Sequence, residues 1–546
     1  MTAATAADRT DRGGTSRTGT ATGTAPNEIA PGAGRHERPA MPKNVIVVLL
    51  DSLNRRMTGP YGGTEFETPN LDRLARRSVR FDRHYAGSLP CMPARHDILV
   101  GALDFLWRPW GSIEVWEQSV VRSLILSGVT TQLVSDHPHL FETGGENYHT
   151  DFTAWGYERG HEGDPWRTRP DPSWAGAPAL PAADGPRPMP YDTSRTWFRG
   201  EDDFPGPRTM RRAAEWLEDN AGAHDRFFLF VDEFDPHEPF DTPEPWASRY
   251  DPDWDGPRMI WPPYTTDAVA SGTLSEREAR HIRANYGAKL SFIDHWFGRL
   301  LDVVDRHGLW EDTAVILCTD HGHYLGERDL FGKPGVPIYP EMGHLPLVVA
   351  WPGVAPGRLD ALTTSVDLHA TLLDVFGVEA GDHRTHGRSL VPLLTGEADR
   401  VRDWLLCGIW GRHVEVIDDT RLFARAPVED NFPLAMWSNR WSSMPVTSFP
   451  QLRLPRPDRR AAIGYLPGSD VPVLRQPFAP GDMLPFWAYG CRPDDHHLYD
   501  LDSDPAASAN LAGEGGRRQA EALDLLRAAL DELEAPAEQY ERLGLR

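Results

Sequence analysis

Several stretches of the chain are almost continuously apolar and end on acidic or histidine-bearing segments. They are NVIVVLLD (44–51), TTQLVSDHPH (130–139), FFLFVDEFDPH (227–237) and AVILCTDHGH (314–323), and LPLVVAWPG (345–353) is a further apolar run. Such runs are typical of strands that are buried on both faces of a parallel sheet. Segments with helical spacing lie between them, notably residues 277–308. The alternation predicts an α/β sandwich with a mainly parallel central sheet.

The character of the sequence changes after about residue 394, where proline, tryptophan and short β-like pieces dominate. We therefore expect four regions. Residues 1–40 are a disordered leader without an apolar segment, and residues 41–395 form the α/β domain. Residues 396–515 form a smaller C-terminal α+β subdomain with a mainly antiparallel sheet, and residues 516–546 form a helical extension.

Charged and histidine side chains follow the apolar runs at the points where the predicted strands end. In open α/β sheets the working groups lie just beyond the carboxyl ends of the strands, so these residues are expected to share one site. They are Asp51, His137, His139, His237, Asp320 and His321.

Charge and cysteine content limit the partners and the compartment. The formal net charge of −24 disfavours binding to nucleic acid or to an anionic membrane surface. No run of 18 apolar residues is present, so we expect no transmembrane helix. The four cysteines are scattered and show no C-x-x-C spacing, which argues against a disulfide framework or a zinc site. A reducing cytoplasm is the expected location.

Cys91 lies between two prolines in the stretch SLPCMPARHDI. Pro93 is tolerated in the first turn of a helix, so Cys91 is expected at a helix N-terminus with Arg95 on the same face. Both features favour negative charge at this point. A thiolate of low pKa and a buried structural thiol are two interpretations that the local sequence leaves open.

The pentapeptide Cys91-Met92-Pro93-Ala94-Arg95 resembles the C-x-P-x-R signature of type I sulfatases, which belong to the alkaline-phosphatase-like superfamily. The resemblance extends in the same order from residue 42 to residue 512. It includes NVIVVLLDSL, TPNLDRLARRSVRFDRHYAGS, TAVILCTDHGHYLGE, VDLHATLLDVFGV and LYDLDSDPAASANLA. It implies an alkaline-phosphatase/sulfatase-like fold.

The resemblance also implies a chemistry. In this family a formylglycine-generating enzyme oxidises the cysteine to formylglycine, whose hydrate attacks sulfur and then expels sulfate. Here the nucleophile would be modified Cys91, braced by Arg95. One divalent metal ion would be held by Asp51, Asp320, His321 and an oxygen of modified Cys91.

The metal ligands depart from the common sulfatase pattern. Most sulfatases have two adjacent aspartates after the first strand and Asp-Asn later, which gives an all-oxygen calcium site. This chain has Asp51-Ser52 and Asp320-His321. The Asp-His pair resembles that of phosphonate monoester hydrolases and related phosphodiesterases, and an imidazole ligand favours manganese over calcium. Both Ca²⁺ and Mn²⁺ therefore remain open.

The remaining site residues are expected to handle charge and protons. Lys333 would contact the transferred sulfuryl group, and His237 would protonate the leaving oxygen. Either His137 or His139 would help to collapse the covalent intermediate, and the sequence does not choose between them. His344 is expected to contact substrate or to be a core histidine.

The sequence thus predicts an enzyme that hydrolyses a small organic sulfate ester. A phosphonate monoester or phosphodiester hydrolase with the same machinery is the nearest alternative, and a non-catalytic binding protein with a plain thiol is a more distant one. The organic part of the substrate is not specified. The C-terminal helix is compatible with a homo-oligomer.

Overall fold

The apolar runs form strands of a large sheet. The structure is a computed structural model that describes residues 39–546, except residues 143, 174–189, 440–460, 467–468, 483, 489 and 515. The predicted leader lies almost wholly outside these residues. The strands are β1 (Asn44–Leu50), β2 (Val79–Tyr85), β3 (Thr130–Ser135), β4 (Ala154–Tyr157), β5 (Phe227–Glu233), β6 (Thr313–Cys318), β7 (Tyr324–Leu325), β8 (Phe331–Gly332), β9 (His344–Ala350), β10 (Gly357–Thr364), β11 (Trp404–Gly408), β12 (Val414–Asp418), β13 (Arg421–Arg425), β14 (Leu434–Ser438), β15 (Ala462–Tyr465), β16 (Pro472–Phe478) and β17 (His497–Asp500).

Helices cover the sheet, and several begin or end at residues typical of helix caps. The helix α6, for example, begins with a capping box in which Ser275 and Glu278 bond reciprocally to each other's backbone. The helices are α1 (Pro69–Ala75), α2 (Cys91–Val100), α3 (Val120–Leu126), α4 (Pro190–Arg195), α5 (Pro205–Asn220), α6 (Glu276–Arg306), α7 (Pro340–Gly343), α8 (Val366–Phe376), α9 (Val391–Leu394), α10 (Gly516–Glu532) and α11 (Ala537–Arg542).

The central sheet has the order β10-β2-β9-β6-β1-β5-β3-β4. The strand β9 is antiparallel to both of its neighbours, and the other pairs are parallel. The mainly parallel sheet predicted from the sequence is therefore confirmed. Because β6, β1 and β5 are adjacent, the residues that follow them meet at one edge of the sheet.

The residues of β1 alternate between two hydrophobic cores, as expected for a strand covered on both faces. Ile46 and Val48 pack in the core that contains α5 and α6, whereas Val45 and Val47 pack in the core that contains α2, α3 and α8. A helix on each face thus fixes the register of β1 and, with it, the position of Asp51 at its end.

The helix α2 is short and buried on every side. All ten of its residues are buried, and it ends at Gly101, which adopts a left-handed backbone with φ of 80°. Pro93 lies in the first turn, as expected. The helix therefore fixes Cys91 and Arg95 deep inside the molecule rather than at its surface.

The C-terminal part contains two small antiparallel sheets, β11-β12-β13-β17 and β14-β16-β15. The helix α10 packs on the first of these, with Leu526 and Leu530 in the same core as Val416 and Phe423. The predicted smaller antiparallel region is confirmed, and its exact boundaries stay predictions. Within the described residues, no helix is both long enough and apolar enough to cross a membrane.

Candidate active site

Three carboxylates meet at the edge where β6, β1 and β5 end. Asp51 follows β1, Asp320 lies two residues beyond β6, and Asp232 is the penultimate residue of β5. All three are at most 1% exposed. Ser52 turns the chain with a positive φ of 62°, and its backbone N–H donates to Asp320 Oδ1 at 3.1 Å. The strand order brings these acids together.

Arg95 links the three carboxylates. Its guanidinium donates to Asp232 at 2.6 Å, to Asp320 at 2.8 Å and to Asp51 at 3.0 Å. It also donates to the backbone carbonyl of Cys91 at 3.2 Å. Arg95 is fully buried, so its charge is neutralised only by these partners. It therefore holds the cluster of acids in place and fixes the first turn of α2 against it.

The sulfur of Cys91 lies between a histidine and a lysine. Cys91 Sγ is 3.2 Å from His321 Nε2 and 3.7 Å from Lys333 Nζ. Burial raises the pKa of the Cys91 thiol well above its usual value, although Lys333 acts in the opposite direction. The thiolate interpretation is therefore not supported, because burial and the Asp51 and Asp320 carboxylates favour the neutral thiol and Arg95 is engaged by carboxylates.

His321 presents a lone pair to the cluster. Its Nδ1–H donates to the carbonyl oxygen of Gly322 at 2.9 Å, which leaves Nε2 unprotonated and directed at Cys91 Sγ. Burial lowers the pKa of His321 to about 3, which keeps the imidazole neutral. A neutral imidazole fixed in this tautomer is the form that binds a metal ion.

The donor set fits a divalent cation. Ligand atoms of Asp51, Cys91, Asp320 and His321 all lie within 4.8 Å of one another. Burial and the neighbouring Asp320 carboxylate raise the pKa of Asp51 well above its usual value. Two buried carboxylates at this separation repel each other, and a divalent cation between them would relieve that repulsion.

Lys333 and His237 form a second pair beside Cys91. Lys333 Nζ donates to His237 Nε2 at 2.8 Å, and His237 Nδ1–H donates to the carbonyl oxygen of Glu238 at 2.7 Å. Burial lowers the pKa of His237 well below its usual value. Burial also acts to lower the pKa of Lys333, but the acidic groups around it, beginning with Cys91 and Glu238, raise it overall. The proton of this pair therefore resides on Lys333.

The two histidines after β3 have different surroundings. His137 Nε2 is 3.5 Å from Asp51 Oδ2, and its Nδ1 accepts the backbone N–H of His139. His139 lies between Glu142 at 2.8 Å and Glu162 at 3.3 Å. Burial lowers the pKa of His137, whereas at His139 the two carboxylates outweigh burial and raise it. His137 is thus a neutral donor that faces Asp51, whereas the ring of His139 is bonded to Glu142.

His344 is not brought to this cluster. Its Nε2 bonds to the carbonyl oxygen of Asp82 at 2.7 Å, and its ring stacks on Tyr85 at 4.4 Å. Conversely, the sequence analysis missed Asp232. The signal was present, since Asp232 ends the apolar run FFLFVDE in the way that Asp51 ends NVIVVLLD.

Comparison with known proteins now decides the family. The model of the family described as "Sulfatase" matches residues 43–378, which is more than half of the chain. The chain belongs to the sulfatase family. The predicted family and the predicted class of enzyme, a sulfuric ester hydrolase, are therefore confirmed. All of the predicted site residues, from Asp51 to His344, lie inside the segment that the sulfatase model matches.

The individual relatives described next are less than 30% identical to this chain. A choline-sulfatase of Rhizobium meliloti (strain 1021) is 28% identical over 382 residues, covering 65% of this chain and 72% of the relative. The multifunctional alkaline phosphatase superfamily protein PehA of Trinickia caryophylli is 26% identical, covering 66% and 78%. The crystal structure of the phosphonate monoester hydrolase of Agrobacterium radiobacter has the same fold, with a TM-score of 0.61 at 20% identity, covering 90% of this chain and 96% of that one. The alkaline-phosphatase/sulfatase-like fold is thereby confirmed.

Proposed function

We propose that the protein hydrolyses a small organic sulfate ester, with Cys91 as its nucleophile after oxidation to formylglycine. The observation that carries this proposal is the convergence on one sulfur atom. Cys91 Sγ lies against His321 Nε2 and Lys333 Nζ, while Arg95 ties the same helix turn to Asp51 and Asp320. A formylglycine-generating enzyme would be the maturation partner.

Two groups would be added to the chain. A divalent cation held by Asp51, Asp320, His321 and position 91 would polarise the ester and favour the ionised nucleophile. A formylglycine hydrate at position 91 would supply one hydroxyl that displaces the alcohol from sulfur and a second that expels sulfate and restores the aldehyde.

The remaining residues would stabilise charge and move protons. Lys333 carries a positive charge next to position 91, where the non-bridging oxygens of the ester would gain negative charge. The pair of Lys333 and His237 holds a proton that can pass to the leaving alcohol, with His237 oriented by the carbonyl of Glu238. His137 faces Asp51 and would donate to an oxygen bound beside it.

One observation favours a second candidate, a phosphonate monoester or phosphodiester hydrolase with the same machinery. His321 contributes a nitrogen to an otherwise oxygen- and sulfur-bearing group, which shifts metal preference towards manganese and away from calcium. A protein of that class also shares the fold, and PehA, one of the relatives, is described as multifunctional.

A turnover screen separates these candidates. The protein is produced together with a formylglycine-generating enzyme and assayed with aryl sulfates, alkyl sulfates, phosphodiesters and phosphonate monoesters, each with Ca²⁺ and with Mn²⁺. We expect the highest kcat/KM on a sulfate ester. The Cys91→Ala variant should turn over none of the substrates. Faster turnover of a phosphodiester or phosphonate with Mn²⁺ would favour the second candidate. A Cys91 thiol that stays unmodified in protein produced with the formylglycine-generating enzyme, together with absence of turnover, would favour the binding protein. A cytoplasmic location and a homo-oligomer remain part of the proposal.

A further inference from the structure

Arg412 is a buried arginine whose guanidinium donates to backbone carbonyl groups. It lies in the turn between β11 and β12 and is 4% exposed. Among the residues that the structure describes it forms no ion pair within 4.0 Å, although Glu415 acts on it at longer range. Burial lowers the pKa of its guanidinium. Burying a charge without a closely paired counter-ion is unfavourable, so the hydrogen bonds that Arg412 makes must help to hold it there.

Those contacts are to the loop that carries Lys333. Arg412 Nη2 donates to the carbonyl oxygen of Pro334 and to that of Val336, each at 2.9 Å. Within the loop, the Val336 N–H donates to the carbonyl oxygen of Pro334 at 2.9 Å, but Pro334 has no N–H and Gly335 has no side chain to add further contacts. Arg412 and Lys333 also line the same small cavity, of about 20 Å³. One guanidinium therefore bridges the two carbonyls that flank Gly335.

The C-terminal helix in turn holds Arg412. Arg542, the last residue of α11, is fully buried, and its Nη1 donates to the backbone carbonyl of Arg412 at 2.8 Å. Its Nε donates to Gln539 Oε1 at 2.8 Å within the same helix. A continuous series of hydrogen bonds thus runs from α11 through Arg412 to the Lys333 loop.

The loop is also in close contact with a second C-terminal segment. A Cβ atom added to Gly335 would lie 2.6 Å from the Cα atom of Gly490, so the two backbones pack directly against each other. On its N-terminal side Lys333 follows β8, which pairs with β7. On its C-terminal side the loop is held by residues that lie far beyond the segment matched by the sulfatase model, which ends at residue 378.

We propose that Arg412 is a positioning residue that acts through Lys333, and that Arg542 holds Arg412 in place. The inference rests on the proposed role of Lys333. A lysine reaches its target by a flexible stem, so the direction of Nζ depends on where the backbone of its loop is held. Lys333 Nζ must meet both Cys91 Sγ and His237 Nε2, and a displacement of about 1 Å at such a point can lower a rate by about 100-fold.

A double-mutant cycle on kcat/KM tests this coupling, with a reactive aryl sulfate as the probe and formylglycine content measured for each variant. In the wild-type background we expect Arg412→Gln to lower kcat/KM by at least about tenfold. In the Lys333→Ala background the same substitution should change it by less than about twofold, because the residue through which it acts is gone. A purely structural role would lower activity by the same factor in both backgrounds.

The matched control is Arg384→Gln. Arg384 is also a largely buried arginine whose guanidinium bonds a backbone carbonyl, that of Leu533 at 2.9 Å, but it makes no contact with residues 333–336 among the described contacts. We expect less than about twofold loss for this variant. If Arg412→Gln does not fold, Gly335→Ala displaces the same loop and enters the same cycle.

Equal losses in both backgrounds, or a loss below twofold for both Arg412→Gln and Gly335→Ala in the wild-type background, would overturn the inference. A different result would contradict the proposed function itself. In that case the wild-type protein turns over no ester, or Lys333→Ala alone leaves kcat/KM unchanged.

Discussion

The Nε2 atom of His321 lies 3.2 Å from Cys91 Sγ, while its Nδ1–H is donated to the carbonyl oxygen of Gly322 at 2.9 Å. The backbone carbonyl thus selects the tautomer, and the lone pair on Nε2 is directed into the group formed with Asp51 and Asp320. In the proposed metal site, this relationship makes His321 the nitrogen ligand that distinguishes it from an all-oxygen calcium site.

The first prediction concerns metal preference. His321→Asn replaces the imidazole nitrogen by an amide oxygen, so affinity for Mn²⁺ should fall by about 10-fold or more, and the preference should move towards Ca²⁺. Titration calorimetry with each metal on the purified protein measures both affinities without requiring turnover.

His344→Asn is the control for this substitution. His344 is also a largely buried histidine bonded to a backbone carbonyl, but its partner is Asp82 rather than the metal group. Both metal affinities should stay at the wild-type level in this variant. An unchanged Mn²⁺ affinity in His321→Asn would remove His321 from the ligand set.

The second prediction concerns Asp232. Asp232→Asn removes the carboxylate that makes the shortest contact with Arg95, 2.6 Å, and leaves a buried guanidinium less well compensated. Breaking such a pair should lower the free energy of unfolding by about 3–5 kcal/mol, measured by urea denaturation. In contrast, Asp302→Asn breaks an exposed pair with Arg73 and should cost less than about 1 kcal/mol. Similar losses in the two variants would show that Arg95 does not depend on Asp232.

The end of each buried strand was the most informative part of the sequence. Asp51 and Asp320 follow apolar runs, and the rule that working groups lie beyond parallel strands brought them together correctly. His344 also borders an apolar run. Its strand β9 is paired with β2, opposite Tyr85, and the ring stacks there instead of facing Asp320. The register of β9 and the stacking of His344 on Tyr85 depend on tertiary contacts, which the local sequence does not indicate.

Burial was the other property that the sequence did not supply. The position of Cys91 at the start of α2 was predicted, but the high pKa of its thiol follows from complete burial of that helix. Likewise, Arg412 and Arg542 carry no local motif, because the contacts that link them to each other and to the Lys333 loop are made to backbone carbonyl groups that folding brings near.

The third prediction concerns pH and the cluster that His96, in α2, forms with Asp104 and Glu117. Burial acts to lower the pKa of His96, but Asp104 and Glu117 outweigh it and raise the pKa from 6.5 to about 9. Ligand atoms of His96, Asp104 and Glu117 lie within 4.8 Å of one another, as they would in a metal site. Arg108 already donates to Asp104 at 2.6 Å, however, so a structural role fits this cluster better. Because the pKa of His96 is higher in the folded than in the unfolded protein, its protonated form stabilises the folded state. This contribution is fully present below pH 6.5 and is lost as the pH rises towards 9.

Urea denaturation of wild type and His96→Gln across this range measures the effect. The difference in free energy of unfolding between the two proteins should be largest below about pH 6.5, shrink as pH rises, and level off above about pH 9. A difference that does not vary with pH would mean that His96 is not charged in the folded protein.

The most direct test of the central claim is mass spectrometry of the peptide that contains Cys91, taken from protein produced with and without a formylglycine-generating enzyme, alongside sulfate-ester turnover of the same samples. We predict an aldehyde at position 91 in the matured protein, with turnover proportional to the converted fraction. A thiol that stays unmodified under these conditions, or turnover that is equal in converted and unconverted protein, would contradict the account.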